Sequence, residues 1–117
     1  MNAKHIWSAI FPITVVSEAN SREHWAGKAR RVKSHRAIAK ALTRVVPLPA
    51  TILLERLYGP RAKPMDDDNY IGGLKATRDG IADKLAIADN DPRVDWSYGQ
   101  AKWKVPGVRV TITSMSG

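Results

Sequence analysis

The 117-residue sequence has no cysteine, no long apolar run and few acidic residues, and each absence excludes a class of protein. Without cysteine there is no disulfide framework and no thiolate zinc site, which fits a cytoplasmic protein. No apolar run approaches the ~18 residues of a transmembrane helix, so we expect no membrane association. The apolar residues 5–16 are interrupted by serine, proline and threonine, which favours a strand over a signal peptide.

The acidic residues are few and unevenly placed. All eight aspartates fall within residues 66–95, whereas residues 1–63 carry twelve Lys and Arg against three Glu. The net charge of +8 favours a polyanionic partner, either nucleic acid or an anionic surface. Like charges gathered in a short stretch repel one another, and a hard divalent metal ion is the usual reason that proteins keep them together.

The apolar pattern predicts an α/β (α+β) fold, with a single small domain over residues 1–117. We expect a mixed sheet of four strands and two helices in the order β-α-β-α-β-β. The strands are predicted at residues 5–16, 50–58, 93–104 and 108–113, and the helices at about residues 21–45 and 71–86. Apolar residues at both parities predict that the first strand is covered on both faces.

The start of the first helix and the connection between the last two strands carry further signals. Gly27 and Arg36 interrupt the apolar stripe of the first helix, which leaves open a later start near Ser34. Pro106 and Gly107 predict a hairpin turn between the last two strands.

Two basic segments are candidates for contact with phosphate groups. The first helix carries eight Lys and Arg and one Glu, so pairing within the helix cannot neutralise it. We interpret Arg30, Arg31 and Lys33 as DNA-binding residues, with a solvated helix face as the alternative. The connector GPRAKPM leads from the second strand to the aspartates and adds Arg61 and Lys63.

The stretch PMDDDN precedes the second helix. In an extended backbone alternate side chains share a face, which predicts that Asp66 and Asp68 point together and that Asp67 points away. Two such carboxylates can bind one metal ion or bracket a pair of ions. Lys75 and Asp79 are one helical turn apart, and the simplest interpretation is an ordinary i,i+4 ion pair.

The order PMDDDN, Lys75, Asp79, ADNDPRVDW and a hairpin resembles the RusA-type Holliday-junction resolvases. These are small metal-dependent endonucleases, often borne by prophages, that nick four-way DNA junctions in recombination and repair. The resemblance implies that Asp66, Asp68 and Asp91 hold Mg²⁺, for which Mn²⁺ can substitute, and that Lys75 is the catalytic lysine. It implies branched DNA as the partner and no protein partner. A homodimer would supply two equivalent sites for the two nicks that resolve a junction.

The sequence departs from the family pattern in two places. The segment from Asn69 to Lys75 is longer by the letters YIGGL. The acidic turn is expanded, so Asp89 competes with Asp91 as the third metal ligand. The letters PRV that come after Asp91 continue the family pattern and favour it.

Three alternatives to an active nuclease stay open at the level of sequence. The same fold can be a DNA-binding module that has lost cleavage, and the longer segment before Lys75 favours this. The aspartates can hold Ca²⁺ to order a loop, although no glutamate follows at EF-hand spacing. They can also form a solvated acidic loop, because short motifs match by chance.

Overall fold

The computed structural model describes residues 5–17 and 25–115, which form a mixed four-stranded sheet and three helices. The elements are β1 (His5–Phe11), α1 (Trp25–Leu42), β2 (Ala50–Tyr58), α2 (Asp67–Gly73), α3 (Lys75–Leu85), β3 (Val94–Lys102) and β4 (Gly107–Ser114). The predicted α+β class is confirmed, with one helix more than expected because the second predicted helix is divided. None of the helices in the described ranges is long and apolar enough to cross a membrane.

Strand β2 lies between β3 and β4, in the order β1-β4-β2-β3. It pairs with β3 in parallel and with β4 antiparallel. The chain therefore reverses direction around Pro106 and Gly107, but the predicted hairpin is wrong. The connection passes the end of β2, where the Trp103 backbone N–H donates to the Tyr58 carbonyl oxygen at 2.8 Å. A turn signal indicates a reversal only, whereas burial of the apolar β2 between two neighbours decides the pairing.

The core lies on one face of the sheet, because burial alternates along β2 and β4. It contains Phe11, Ile52, Leu54, Leu74, Ile81, Val108, Val110 and Ile112, all fully buried. The opposite face is partly open, and the edge strand β1 leaves Ile6 68% and Ile10 44% exposed. The prediction that β1 is covered on both faces is therefore wrong, since the helices pack on the face that carries the core.

Helix α1 begins at Trp25 and ends at Leu42, so a start near Ser34 is excluded. The predicted residues 21–24 lie outside the described residues. Arg36 interrupts the apolar stripe because it pairs with Asp83 of α3, with Nε–Oδ2 at 2.6 Å and Nη2–Oδ1 at 2.9 Å. The hydrogen bond from Arg36 lowers the pKa of Asp83.

Helices α2 and α3 are nearly continuous and separate only at Leu74. The Leu74 N–H donates to the Tyr70 carbonyl, and the Leu74 carbonyl accepts from the Arg78 N–H, both at 3.0 Å. The helical segment begins earlier than predicted, with Asp66 as N-cap. The extended conformation predicted for the aspartates is therefore wrong. Carboxylates are favoured at a helix start, where N–H groups lack partners and the helix dipole is positive.

Helix α3 packs against α1 at Gly80. A Cβ atom on Gly80 would overlap the Arg36 carbonyl oxygen and lie 2.8 Å from the Ala39 Cβ. The two helix backbones approach each other closely at this point, and only glycine leaves enough room.

Replacing Gly80 with alanine is expected to lower the free energy of unfolding by roughly 1–3 kcal/mol, because the added methyl overpacks the helix contact. Gly72→Ala is the matched control, since Gly72 is an exposed helical glycine with no close neighbour at its Cβ position. The Gly72→Ala variant should have a free energy of unfolding higher by up to about 1 kcal/mol, from helix propensity alone. Urea unfolding of both variants measures the difference, and a gain in both would contradict the helix contact.

Candidate functional site

Lys75 stands at the centre of the candidate site, at the first position of α3. Its Nζ lies 3.3 Å from Asp79 Oδ1 and 3.5 Å from Asp89 Oδ2. The predicted i,i+4 pair with Asp79 is confirmed, and the turn after α3 adds the second carboxylate. Because the Lys75 side chain is 66% exposed, these ion pairs are held weakly, at about 0–1 kcal/mol each.

Arg78 holds the turn that carries Asp89. Its Nη2 donates to the Asp89 carbonyl oxygen, and its Nη1 donates to the Tyr98 hydroxyl at 2.8 Å. Its guanidinium carbon lies 4.6 Å from the centre of the Trp96 ring. The turn is thereby tied to β3. Arg78 was not predicted from the sequence, although its position one turn from Lys75 and the shared parity of Trp96 and Tyr98 were available signals.

Both carboxylate oxygens of Asp91 accept hydrogen bonds from its neighbour Arg93. Its Oδ1 accepts from the Arg93 backbone N–H at 2.9 Å and from Nε at 3.0 Å, and its Oδ2 accepts from Nη2 at 2.8 Å. The side-chain hydrogen bond with Arg93, followed by the backbone one, lowers the pKa of Asp91 to about 2. Lys75 pairs with Asp89, and no ion pair joins it to Asp91 in the described part of the chain.

Asp66 and Asp68 are exposed at the start of α2. Asp68 and Lys75 are seven residues apart, which is about two helical turns and a rise of about 10 Å along one helix face. Gly72 lies between them on that face and leaves it open. Asp67 lies near Tyr70, and burial together with this carboxylate raises the pKa of the Tyr70 hydroxyl.

The segment that leads into Asp66 is anchored to the sheet by Gln100. The Gln100 side chain accepts from the Met65 N–H at 3.0 Å and donates to the Met65 carbonyl at 2.6 Å. Arg56 supports it by donating to Gln100 Oε1 and to the Lys63 carbonyl, both at 3.0 Å. Arg56 is buried, and desolvation lowers its pKa. A cation within the predicted strand 50–58 was the signal for this anchor.

A groove between α1 and α3 joins the basic helix to Lys75. It has a volume of about 410 Å³ and is lined by Lys28, Arg31, Val32, Gly72, Gly73, Lys75, Ala76 and Asp79. Lys75 also lines two neighbouring depressions, one with Asp89 and Tyr98 and one with Arg36 and Asp83. The structure therefore brings Arg31 and Lys75 to one surface.

The other predicted DNA-binding residues lie outside this groove. Arg30 and Lys33 are exposed on α1, and Arg61 and Lys63 are exposed on the connector after β2. Within residues 5–17 and 25–115, none of these four forms an ion pair.

The described residues contain no group of three His, Cys, Asp or Glu side chains that could hold a metal ion. The carboxylates have the chemistry that a hard ion prefers, but Asp66, Asp68 and Asp91 are not gathered into one cluster. The residues that do come together are Lys75, Asp79 and Asp89.

Comparison with known proteins shows similarity to a protein whose own function is not established. The chain is 36% identical over 78 residues to an uncharacterized protein of Xylella fastidiosa (strain Temecula1 / ATCC 700964). The match covers 60% of this chain and 51% of the relative, so the chain spans about half the length of that protein. No family model matches the sequence.

The Asp91 carboxyl is expected to titrate at a pKa of about 2. Arg93→Gln should return it toward the ordinary value of about 3.9. Because the folded pKa is the lower one, the pair stabilises the fold above about pH 4 and loses this contribution as the pH falls toward 2.

Carbon-detected NMR of the aspartate carboxyls measures this titration. Arg109→Gln is the control, because Arg109 pairs with Glu55 and should leave the Asp91 titration unchanged. An ordinary Asp91 pKa in the unaltered protein would contradict the Arg93 pair.

Proposed function

We propose that this protein is a Mg²⁺-dependent endonuclease of the RusA type that nicks four-way junctions or other branched DNA in recombination and repair. The observation that carries the proposal is the position of Lys75. It lines the same groove as Lys28, Arg31 and Asp79, and it also pairs with the carboxylate of Asp89. Phosphodiester cleavage requires such a meeting of a phosphate-binding surface with a cation and nearby carboxylates.

The basic residues supply the binding of DNA in this proposal. Arg30, Arg31 and Lys33 of α1 contact phosphates beside the groove, and Arg61 and Lys63 contact them beside the aspartates. These contacts position the DNA without reading its bases. The net charge of +8 supports this role. A DNA substrate and the lack of cysteine both support a cytoplasmic location.

We propose Asp66, Asp68 and Asp89 as the acidic residues of the site, with Asp89 taking the place predicted for Asp91; in the described residues these three do not form one cluster either. Asp91 has its oxygens engaged by Arg93, whereas Asp89 is 45% exposed and lies beside Lys75. Mg²⁺, when bound, would neutralise phosphate charge and activate water.

Lys75 supplies the positive charge that this chain itself brings to the reaction. Its ammonium group can leave Asp79 and Asp89 at little cost, because exposed pairs contribute about 0–1 kcal/mol. It can then hold a non-bridging oxygen of the phosphate, where negative charge grows during cleavage.

A second candidate is a DNA-binding module of the same fold without cleavage. Two observations favour it: no three potential metal ligands cluster in the described residues, and Lys75 is compensated by two carboxylates. Junction binding without nicking at any Mg²⁺ or Mn²⁺ concentration would support this candidate over the endonuclease.

We also propose a homodimer, because two equivalent sites suit the two-fold character of a junction. The open face of the sheet, with exposed Ile6 and Ile10, offers apolar surface for the contact. Light scattering with and without junction DNA tests this, and a monomer mass in both would exclude the dimer.

Asp66→Asn, Asp68→Asn and Asp89→Asn are each expected to abolish nicking, because Asn keeps the shape but removes the charge that holds a hard ion. Asp91→Asn should stay active. Lys75→Ala should slow cleavage by about 10²–10³-fold, as for loss of a group that stabilises transition-state charge. Nicking of a synthetic four-way junction with and without Mg²⁺ measures all five, and a gel-shift assay confirms that binding survives.

Asp67→Asn is the matched control in the same aspartate run and should lower the nicking rate only slightly. If Asp91→Asn does not nick the junction and Asp89→Asn does, Asp91 and not Asp89 is the third acidic residue of the site. Wild-type cleavage in both Asp66→Asn and Asp68→Asn would defeat the proposed site.

Neutralising Arg30 and Lys33 together, as Arg30→Gln and Lys33→Gln, should weaken junction binding and flatten its salt dependence. The log–log slope is expected to fall by about 0.9 for each phosphate that is no longer neutralised, so by about 1.8 in total. Fluorescence anisotropy across a salt series gives the slope. Lys84→Gln, in the last turn of α3, is the control for loss of one positive charge outside α1. An unchanged slope in the double variant would mean that this face of α1 is only solvated.

A further inference from the structure

Trp103 lies just beyond the end of β3 and is held in place from two sides. Its backbone N–H donates to the Tyr58 carbonyl. The Arg109 guanidinium carbon lies 5.3 Å from the centre of its ring. Arg109 is itself fixed by Glu55 through bonds of 2.9 and 3.2 Å. The indole is therefore a positioned group, and it remains partly exposed.

An open, mainly apolar hollow of about 480 Å³ adjoins the indole. It is lined by Pro60, Lys102, Trp103 and Lys104, which we call the Trp103 patch. Both lysines are exposed, and neither forms an ion pair with any described residue. The Lys104 Nζ lies 6.0 Å from the centre of the Trp103 ring. The patch thus combines a flat aromatic surface with two uncompensated cations.

We propose that the Trp103 patch binds an unpaired nucleotide, with the base stacked on the indole and the adjoining phosphates beside Lys102 and Lys104. Aromatic side chains in a basic setting hold single-stranded nucleic acid in this way, because every base has a face that can stack. A base within a duplex has both faces covered by its neighbours, so the patch favours a strand end or a branch point. The two lysines alone would suit any polyanion, whereas the aromatic wall selects a flat ring.

The patch and the aspartate segment lie near the same end of β3 but on different faces of the sheet, because Trp103 contacts Arg109 on the face opposite the core, whereas Gln100 lies on the core face with Trp96 and Tyr98. Gln100 of β3 holds Met65, the residue before Asp66, and Trp103 follows Gln100 by three residues. At about 3.3 Å per strand residue, Trp103 is about 10 Å from this anchor. The patch is therefore a surface separate from the aspartate segment. The inference rests on the proposed function only in taking nucleic acid as the partner, and it does not depend on cleavage.

The test compares the binding of a labelled oligothymidine and of a blunt duplex, in EDTA so that no cleavage occurs. Trp103→Ala should weaken binding of the single strand by about 5- to 100-fold, and Trp103→Phe should retain most of the affinity. Both variants should bind the blunt duplex with an affinity within about twofold of that of the natural protein, because stacking on a free base face is specific to unpaired strands. Val105→Ala removes a neighbouring exposed apolar group and should change neither affinity.

A second measurement does not depend on how well Trp103→Ala folds. Oligothymidine should quench the intrinsic tryptophan fluorescence of the natural protein, and Trp103→Phe should remove part of that quenching. Unchanged quenching, or equal loss of single-strand and duplex affinity, would overturn the stacking site. If the protein binds DNA but never nicks it, the endonuclease proposal fails while the patch stands. If Trp103→Phe leaves quenching intact in a protein that nicks junctions, the patch fails alone.

Discussion

The close approach of α1 to α3 at Gly80 is the contact on which the rest of the arrangement depends. The Arg36 carbonyl and the Ala39 methyl occupy the space that a side chain at position 80 would take. The ion pair between Arg36 and Asp83 reinforces the same contact from the surface. Because interiors are close-packed, one added methyl would force the helices apart. Their spacing sets the width of the groove that places the cations of α1 beside Lys75.

The acidic stretch is tolerated in this basic chain in part because four of its eight aspartates are paired with a cation. Arg36 pairs with Asp83, Arg93 pairs with Asp91, and Lys75 serves both Asp79 and Asp89. The aspartates at the start of α2 have no ion pair among the described residues and depend instead on the helix dipole. The structure thus separates aspartates that are paired with a cation from aspartates that lie at a helix start.

A helical segment joins the aspartates at the start of α2 to Lys75 at the start of α3. Asp68 lies in α2 and Lys75 begins α3, so they are seven residues apart across the break at Leu74, and the nearly continuous helical segment brings them toward one face. Gly72, between them, leaves that face open. The letters YIGGL therefore place about two helical turns between the aspartates and Lys75.

The sequence by itself determined the fold class, and it placed β2 at residues 50–58, where the structure has Ala50–Tyr58. These features follow from apolar alternation, which is a local property. The pair of Asp91 with Arg93 is local too and could have been foreseen. Strand order, the packing at Gly80 and the meeting of Lys75 with Asp89 were decided only by the tertiary structure. Each joins residues distant in sequence, and such residues meet only when the helices pack on the sheet and Arg78 draws the turn onto β3.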